Sequence, residues 1–111
     1  MEITSTKKQN YILVGIEGRL DAASAAEAEK QILALITASD NKFIINLSEL
    51  RYISSAGLRA LLVIAKEIKA KNGSLVICSM IESVKKVFDI SGFSSILNLT
   101  ETVQAAEKKL K

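Results

Sequence analysis

Two adjacent hydroxyls, Ser54 and Ser55, stand in the run Tyr52–Leu62 (YISSAGLRALL), where a strand-like stretch gives way to a helix. Upstream, Phe43 to Leu47 (FIINL) is bulky and apolar apart from Asn46. Downstream, Leu58, Leu61, Leu62, Ala65 and Ile68 recur at helical spacing, with Arg59, Lys66, Glu67 and Lys69 between them. The serines therefore fall near a helix N-terminus. A hydroxyl there can cap free backbone N–H groups, and a phosphate there meets donors and the positive end of the helix dipole. The spacing leaves both roles open, an ordinary cap or a modification switch.

Other chemistries are excluded by what the chain lacks. Without a histidine there is no Ser–His–Asp or Cys–His nucleophile system and no histidine metal site. The Ser54–Ser55 segment does not have the G-x-S-x-G spacing of a nucleophile elbow. Gly15, Gly18, Gly57, Gly73 and Gly92 are too scattered for a P-loop or a dinucleotide fingerprint. Glu17 and Asp21 could be imagined as paired carboxylates, but nothing places a substrate between them. Neither catalytic residues nor a metal site is expected, and no cofactor. A small enzyme or ligand carrier rests only on the habit of α/β folds of binding ligands at strand ends.

The elements that position the serines follow from hydropathy and turn residues. Ile3–Thr6 and Tyr11–Glu17 are expected strands, joined through the polar Lys7–Asn10. Gly18 to Ala23 is expected to turn, and Ser24 with Glu27 three residues later fits a capping box opening a helix. Ala28, Ile32, Leu35 and Ile36 make its inward stripe. After the polar Ser39–Lys42 comes the Phe43–Leu47 strand, then a helix from about Gly57 to Lys71, stopped in a left-handed turn at Asn72–Gly73. Leu75–Met80 is the next strand, and Cys78 within it is expected in the core. Glu82–Ile90 is a short helix with Val84, Val87 and Phe88 inward, ended by Gly92. Ile96–Leu99 is a last short strand, and Thr100 is expected to cap a final helix that buries Val103, Ala106 and Leu110. The order β-β-α-β-α-β-α-β-α implies a small α/β domain whose crossover helices pack on a mixed sheet of four to five strands, with about four helices.

Composition is consistent with one folded domain over residues 1–111, with 49% hydrophobic and 24% charged residues. Its apolar runs are far below the roughly 18 residues that span a bilayer, so membrane insertion is not expected. The chain opens with no cationic segment leading into an apolar one, so a cytoplasmic location is expected. The net charge of +3 is uneven: residues 1–55 carry six Lys/Arg against seven Asp/Glu, and residues 56–111 nine against five. The excess sits in short clusters such as Lys85–Lys86 and Lys108, Lys109 and Lys111, without aromatic residues between them. That pattern is a solvated face rather than a nucleic-acid surface.

GRLDAAS (Gly18–Ser24), FIINLSELRYISSAGLRALL (Phe43–Leu62), NGSLVICSM (Asn72–Met80) and VFDISGF (Val87–Phe93) occur in this order. With these blocks the chain resembles, from about Tyr11 to Leu110, a stand-alone STAS domain of the bacterial anti-sigma factor antagonist type. The resemblance implies a partner switch. The unmodified antagonist binds a kinase-type anti-sigma factor and frees the sigma factor. The kinase phosphorylates a serine at the strand-to-helix turn, which ends binding, and a metal-dependent PPM-type Ser/Thr phosphatase restores it.

In the family that turn reads Asp-Ser-Ser/Thr/Ala-Gly-Leu, with the first Ser as phosphoacceptor. The pattern falls here on Ser54-Ser55-Ala56-Gly57-Leu58, so Ser55 matches the acceptor and Ser54 stands where the family has Asp. Ser54 brings no charge, and its hydroxyl is a rival acceptor. Asp21 matches the acidic residue of the family's G-x-L-D turn at the partner-facing end; its plain alternative is a polar turn residue ahead of Ser24. The resemblance thus implies a partner surface of Asp21, Ser54, Ala56, Gly57 and Arg59, on a chain expected to be a monomer when free. A STAS module controlling a non-sigma output, such as secretion, is the alternative, phospho-regulated or constitutive.

Overall fold

A nine-residue strand organises the molecule, and the others assemble on its two edges. The structure, a computed structural model, describes residues 1–110. Its elements are β1 (Glu2–Lys7), β2 (Ile12–Leu20), α1 (Ala25–Leu33), β3 (Lys42–Asn46), β4 (Leu50–Ile53), α2 (Ser55–Ala70), β5 (Ser74–Cys78), α3 (Glu82–Ser91), a 3-10 turn (Phe93–Ser95), β6 (Leu99–Thr100) and α4 (Val103–Leu110). β1 runs antiparallel to β2, whereas β3, β5 and β6 continue the sheet in parallel, in the order β1-β2-β3-β5-β6.

The central strands β3 and β5 are short apolar runs because both of their faces are covered. On one face Ile12, Val14, Ile16, Phe43, Ile45, Leu75 and Ile77 meet Ala28 and Ile32 of α1, Leu58, Leu61, Ile64 and Ile68 of α2, and Val84 and Phe88 of α3. On the other, Ile44, Val76 and Cys78 are covered by Ala106 and Leu110 of α4. The Tyr11 hydroxyl donates to Glu107 and pins α4 to the sheet; burial and that carboxylate push the phenol up to about 12. Val87, Leu35 and Leu62 are only half-buried, and Ile36 is buried just beyond the end of α1.

The sheet has six strands among the described residues rather than four to five. The added one is β4, with a burial pattern of inside ends and exposed middle that shows no alternation. β2 is correspondingly longer than Tyr11–Glu17. It pairs with β3 through Gly15 and then in parallel with β4 from Gly18 to Leu20, the register shifting between Gly18 and Arg19. Gly18 takes φ +92 at that irregularity, and its N–H donates to Glu49 O at 3.0 Å. What reads as a turn from Gly18 is therefore the last third of a strand.

The ends of other elements also move. The left-handed stop of α2 is Asn72 at φ 63. Gly73 is needed for a different reason, since a Cβ there would lie 1.9 Å from the Asn41 carbonyl oxygen. Ile96 is 61% exposed in the turn after α3, and the last strand is Leu99–Thr100. With Thr100 in that strand, Thr102 caps α4, its Oγ1 accepting from Ala105 N at 3.0 Å.

Candidate functional site

The two serines have different surroundings. Ser54 has extended backbone (φ −98, ψ 175), and its Oγ accepts from Gly57 N at 3.2 Å. Its carbonyl accepts from Leu58 N at 2.9 Å. Ser54 is thus the N-cap of α2. Ser55 is the first helical residue and is exposed, and its hydroxyl enters no hydrogen bond among the described residues.

The β2–β4 pairing brings Asp21 to this turn. Ser54 N donates to Leu20 O at 2.9 Å, so the residue after Leu20 lies beside the start of α2. Asp21 Oδ1 accepts from Ala23 N, Ser24 N and Ser24 Oγ, each at 3.1 Å. These bonds, the Ser24 hydroxyl's first, hold the Asp21 carboxyl below its ordinary pKa. The expected capping box is absent. Ser24 precedes α1 but makes no side-chain cap, because its Oγ is engaged with Asp21 N at 3.0 Å and Arg19 O at 3.0 Å. Glu27 instead accepts from Gln31 at 2.9 Å. Ser24 still caps α1 by position, its carbonyl accepting from Ala28 N at 3.0 Å, while the Asp21 carboxylate holds the turn ahead of it.

Gly57 is buried, and a Cβ there would stand 2.6 Å from Leu20 O and 2.8 Å from Ile53 Cγ1. Its role is to let the first turn of α2 press against the ends of β2 and β4. Ala56 is half-buried beside it, and Arg59 is exposed one turn along. The structure therefore gathers Asp21, Ser54, Ser55, Ala56 and Arg59 on the start of α2 and the adjoining turn, with Gly57 beneath.

One neighbour was invisible in the sequence because β4 was. Arg19 and Tyr52 are register partners, and the Arg19 guanidinium lies 4.2 Å from the centre of the Tyr52 ring. Arg19 also faces Asp21 at 3.8 Å, and Tyr52 remains 41% exposed. No sequence signal marks the pair, since Leu50 and Ile53 flank Arg51–Tyr52 without the alternation of a strand.

A mixed sheet that seats a capped serine turn and an acidic turn side by side has the architecture of a STAS domain, and the STAS domain family model matches residues 2–106. The chain belongs to the STAS domain family. Relatives carry the name of anti-sigma factor antagonist: BtrV of Bordetella bronchiseptica, so designated, is 33% identical over 111 residues, covering 100% of this chain and 96% of that protein. A Thermotoga maritima structure designated an anti-sigma factor antagonist superposes with a TM-score of 0.90 at 19% identity, covering 97% of this chain and 93% of that one. The Bacillus cell fate determinant SpoIIAA, solved in its phosphorylated form, superposes with a TM-score of 0.71 at 19% identity, covering 99% and 100%. No helix among the described residues is long and apolar enough to cross a membrane.

Proposed function

We propose that this chain is the antagonist of a cytoplasmic partner switch, binding a kinase-type anti-sigma factor through the start of α2 and the Asp21 turn so that the sigma factor is released. Phosphorylation of Ser55 ends that binding, and a PPM-type phosphatase reverses it. The observation that carries the reading is the division between the serines. Ser54 is used as the cap, which leaves the Ser55 hydroxyl exposed and unbonded at the position that matches the family's acceptor. The existence of a related fold, SpoIIAA, in a phosphorylated form supports it. The serine at 54 in place of the family's aspartate supports a second reading, in which the same switch serves a regulator other than a sigma factor.

The test is site-localised mass spectrometry after incubation with ATP and the host's candidate anti-sigma kinases, beside Ser55→Ala. Phosphate on Ser55, absent from the variant, together with loss of kinase binding after modification, is the expected result. Phosphate on Ser54 alone, or modification at Ser55 with unchanged partner affinity, refutes it. Release of a sigma factor from the kinase distinguishes the first reading from the second.

A further inference from the structure

Arg59 has no anionic partner on its own helix. Its neighbours three and four residues away are Ser55, Ala56, Leu62 and Val63, none of them charged. The first turn of α2 contains no acidic residue. Elsewhere the chain fills such positions, as in the i,i+4 pairs Glu67–Lys71 at 3.9 Å and Lys85–Asp89 at 3.3 Å. The other two arginines are paired as well, Arg19 with Asp21 and Arg51 with Glu49 at 3.6 Å. Arg59 is exposed and stands outside every ion pair among the described residues. Of the four positions within its reach along the helix, Ser55 alone can acquire a negative charge.

We propose that Arg59 is the internal counter-ion of phosphorylated Ser55, its guanidinium taking the phosphate oxygens across one helical turn. This rests on Ser55 being the modified residue. The order is the favourable one, anion N-terminal to cation at i,i+4, and a planar guanidinium can engage two phosphate oxygens at once. Pairing draws Arg59 onto the phosphate, so modification both adds an anion to the partner surface and removes a cation from it. No part of the core moves for this to happen, since both side chains are exposed.

The experiment encodes phosphoserine at position 55 of the full-length chain during translation, so it needs no kinase. The phosphate is titrated by 31P NMR in wild type, Arg59→Gln and Arg59→Lys. Asp21 and Arg19, on the adjoining turn, act on the phosphate equally in all three, so differences isolate residue 59. The expected result is a second phosphate pKa about 0.5 pH unit lower with Arg59 than with Gln. Lys should fall between them, and the difference should shrink in 1 M salt, where the Debye length is about 3 Å. Titrations of wild type and Arg59→Gln that coincide within about 0.1 unit overturn the pairing. Failure of any kinase to modify Ser55 would instead overturn the proposed function and leave this result standing.

Discussion

Replacing the serines one at a time separates a cap from a surface hydroxyl. In Ser54→Ala the bond from Gly57 N to Ser54 Oγ, 3.2 Å long, is lost and the N–H returns to water at the start of a sixteen-residue helix. Loss of a serine cap costs about 1 kcal/mol, within a range of about 0.5–2. In a domain of this size that lowers the melting temperature by roughly 4 °C. Ser55→Ala removes a hydroxyl with no partner and substitutes a better helix former, so its effect should stay within about 0.5 kcal/mol. Ser54→Asp keeps an acceptor for Gly57 N and adds a negative charge at the helix start, which favours stability by about 0.3–1 kcal/mol at low salt. Urea unfolding followed by circular dichroism, with midpoints compared at constant slope, gives all three differences. A Ser55→Ala variant as destabilised as Ser54→Ala would refute the assignment of the cap to Ser54, and with it the argument that Ser55 is left available.

Two more variants probe the seating of the turn. Gly57→Ala should lower the unfolding free energy obtained from urea melts by about 1–2 kcal/mol, because overpacking against Leu20 O and Ile53 Cγ1 outweighs the roughly 0.5–1 kcal/mol that alanine gains in a helix; a more stable variant would show that the close approach relaxes freely. Asp21→Asn should matter only where Asp21 is ionised. The folded carboxyl sits below its unfolded pKa of about 3.9, so its contribution is present above that value and fades as pH falls through the lower folded pKa. The gap in melting temperature between wild type and Asp21→Asn should be widest near pH 6 and close toward pH 2, and a gap independent of pH would refute the role of the carboxylate charge.

The α/β order was legible because the helices here are amphipathic and β3 and β5 are continuous apolar runs, and both signals survive without tertiary context. What escaped is tertiary in origin. β4 buries only Leu50 and Ile53, and a four-residue strand with two exposed central residues has no period to read. Its existence depends on β2 extending past β3, which Gly18 makes possible through a backbone conformation invisible in the residue letters. The same dependence hid the Arg19–Tyr52 stack. Ser24 opens α1 without the capping box because Ser-x-x-Glu spacing is a local rule, and Asp21 competes for the same hydroxyl three residues earlier. Residue types and spacing placed both serines at a helix start, but only the bond to Gly57 N distinguishes them.

That distinction decides what a phosphate could do. The first N–H groups of a helix have no partner within it, and here Ser54 takes Gly57 N with its side chain and Leu58 N with its carbonyl. The amides of Ser55 and Ala56 face the helix start, where a charge of about −1.5 to −2 is electrostatically welcome. A phosphate on Ser55 thus has no reason to unfold the domain, since Ser55 is exposed while Leu58 and Leu61 of the same helix are buried. A phosphate on Ser54 would instead sit on the capping oxygen itself, so its effect would fall on the bond from Gly57 N as well as on the surface. Placed at Ser55, the modification spends its free energy on whatever approaches the surface. A partner burying the turn must desolvate or pair a dianion, and a loss of about 3 kcal/mol there weakens binding roughly a hundredfold. Modification at Ser55 would thus alter affinity without altering the fold, because the capping hydroxyl, on Ser54, is left untouched.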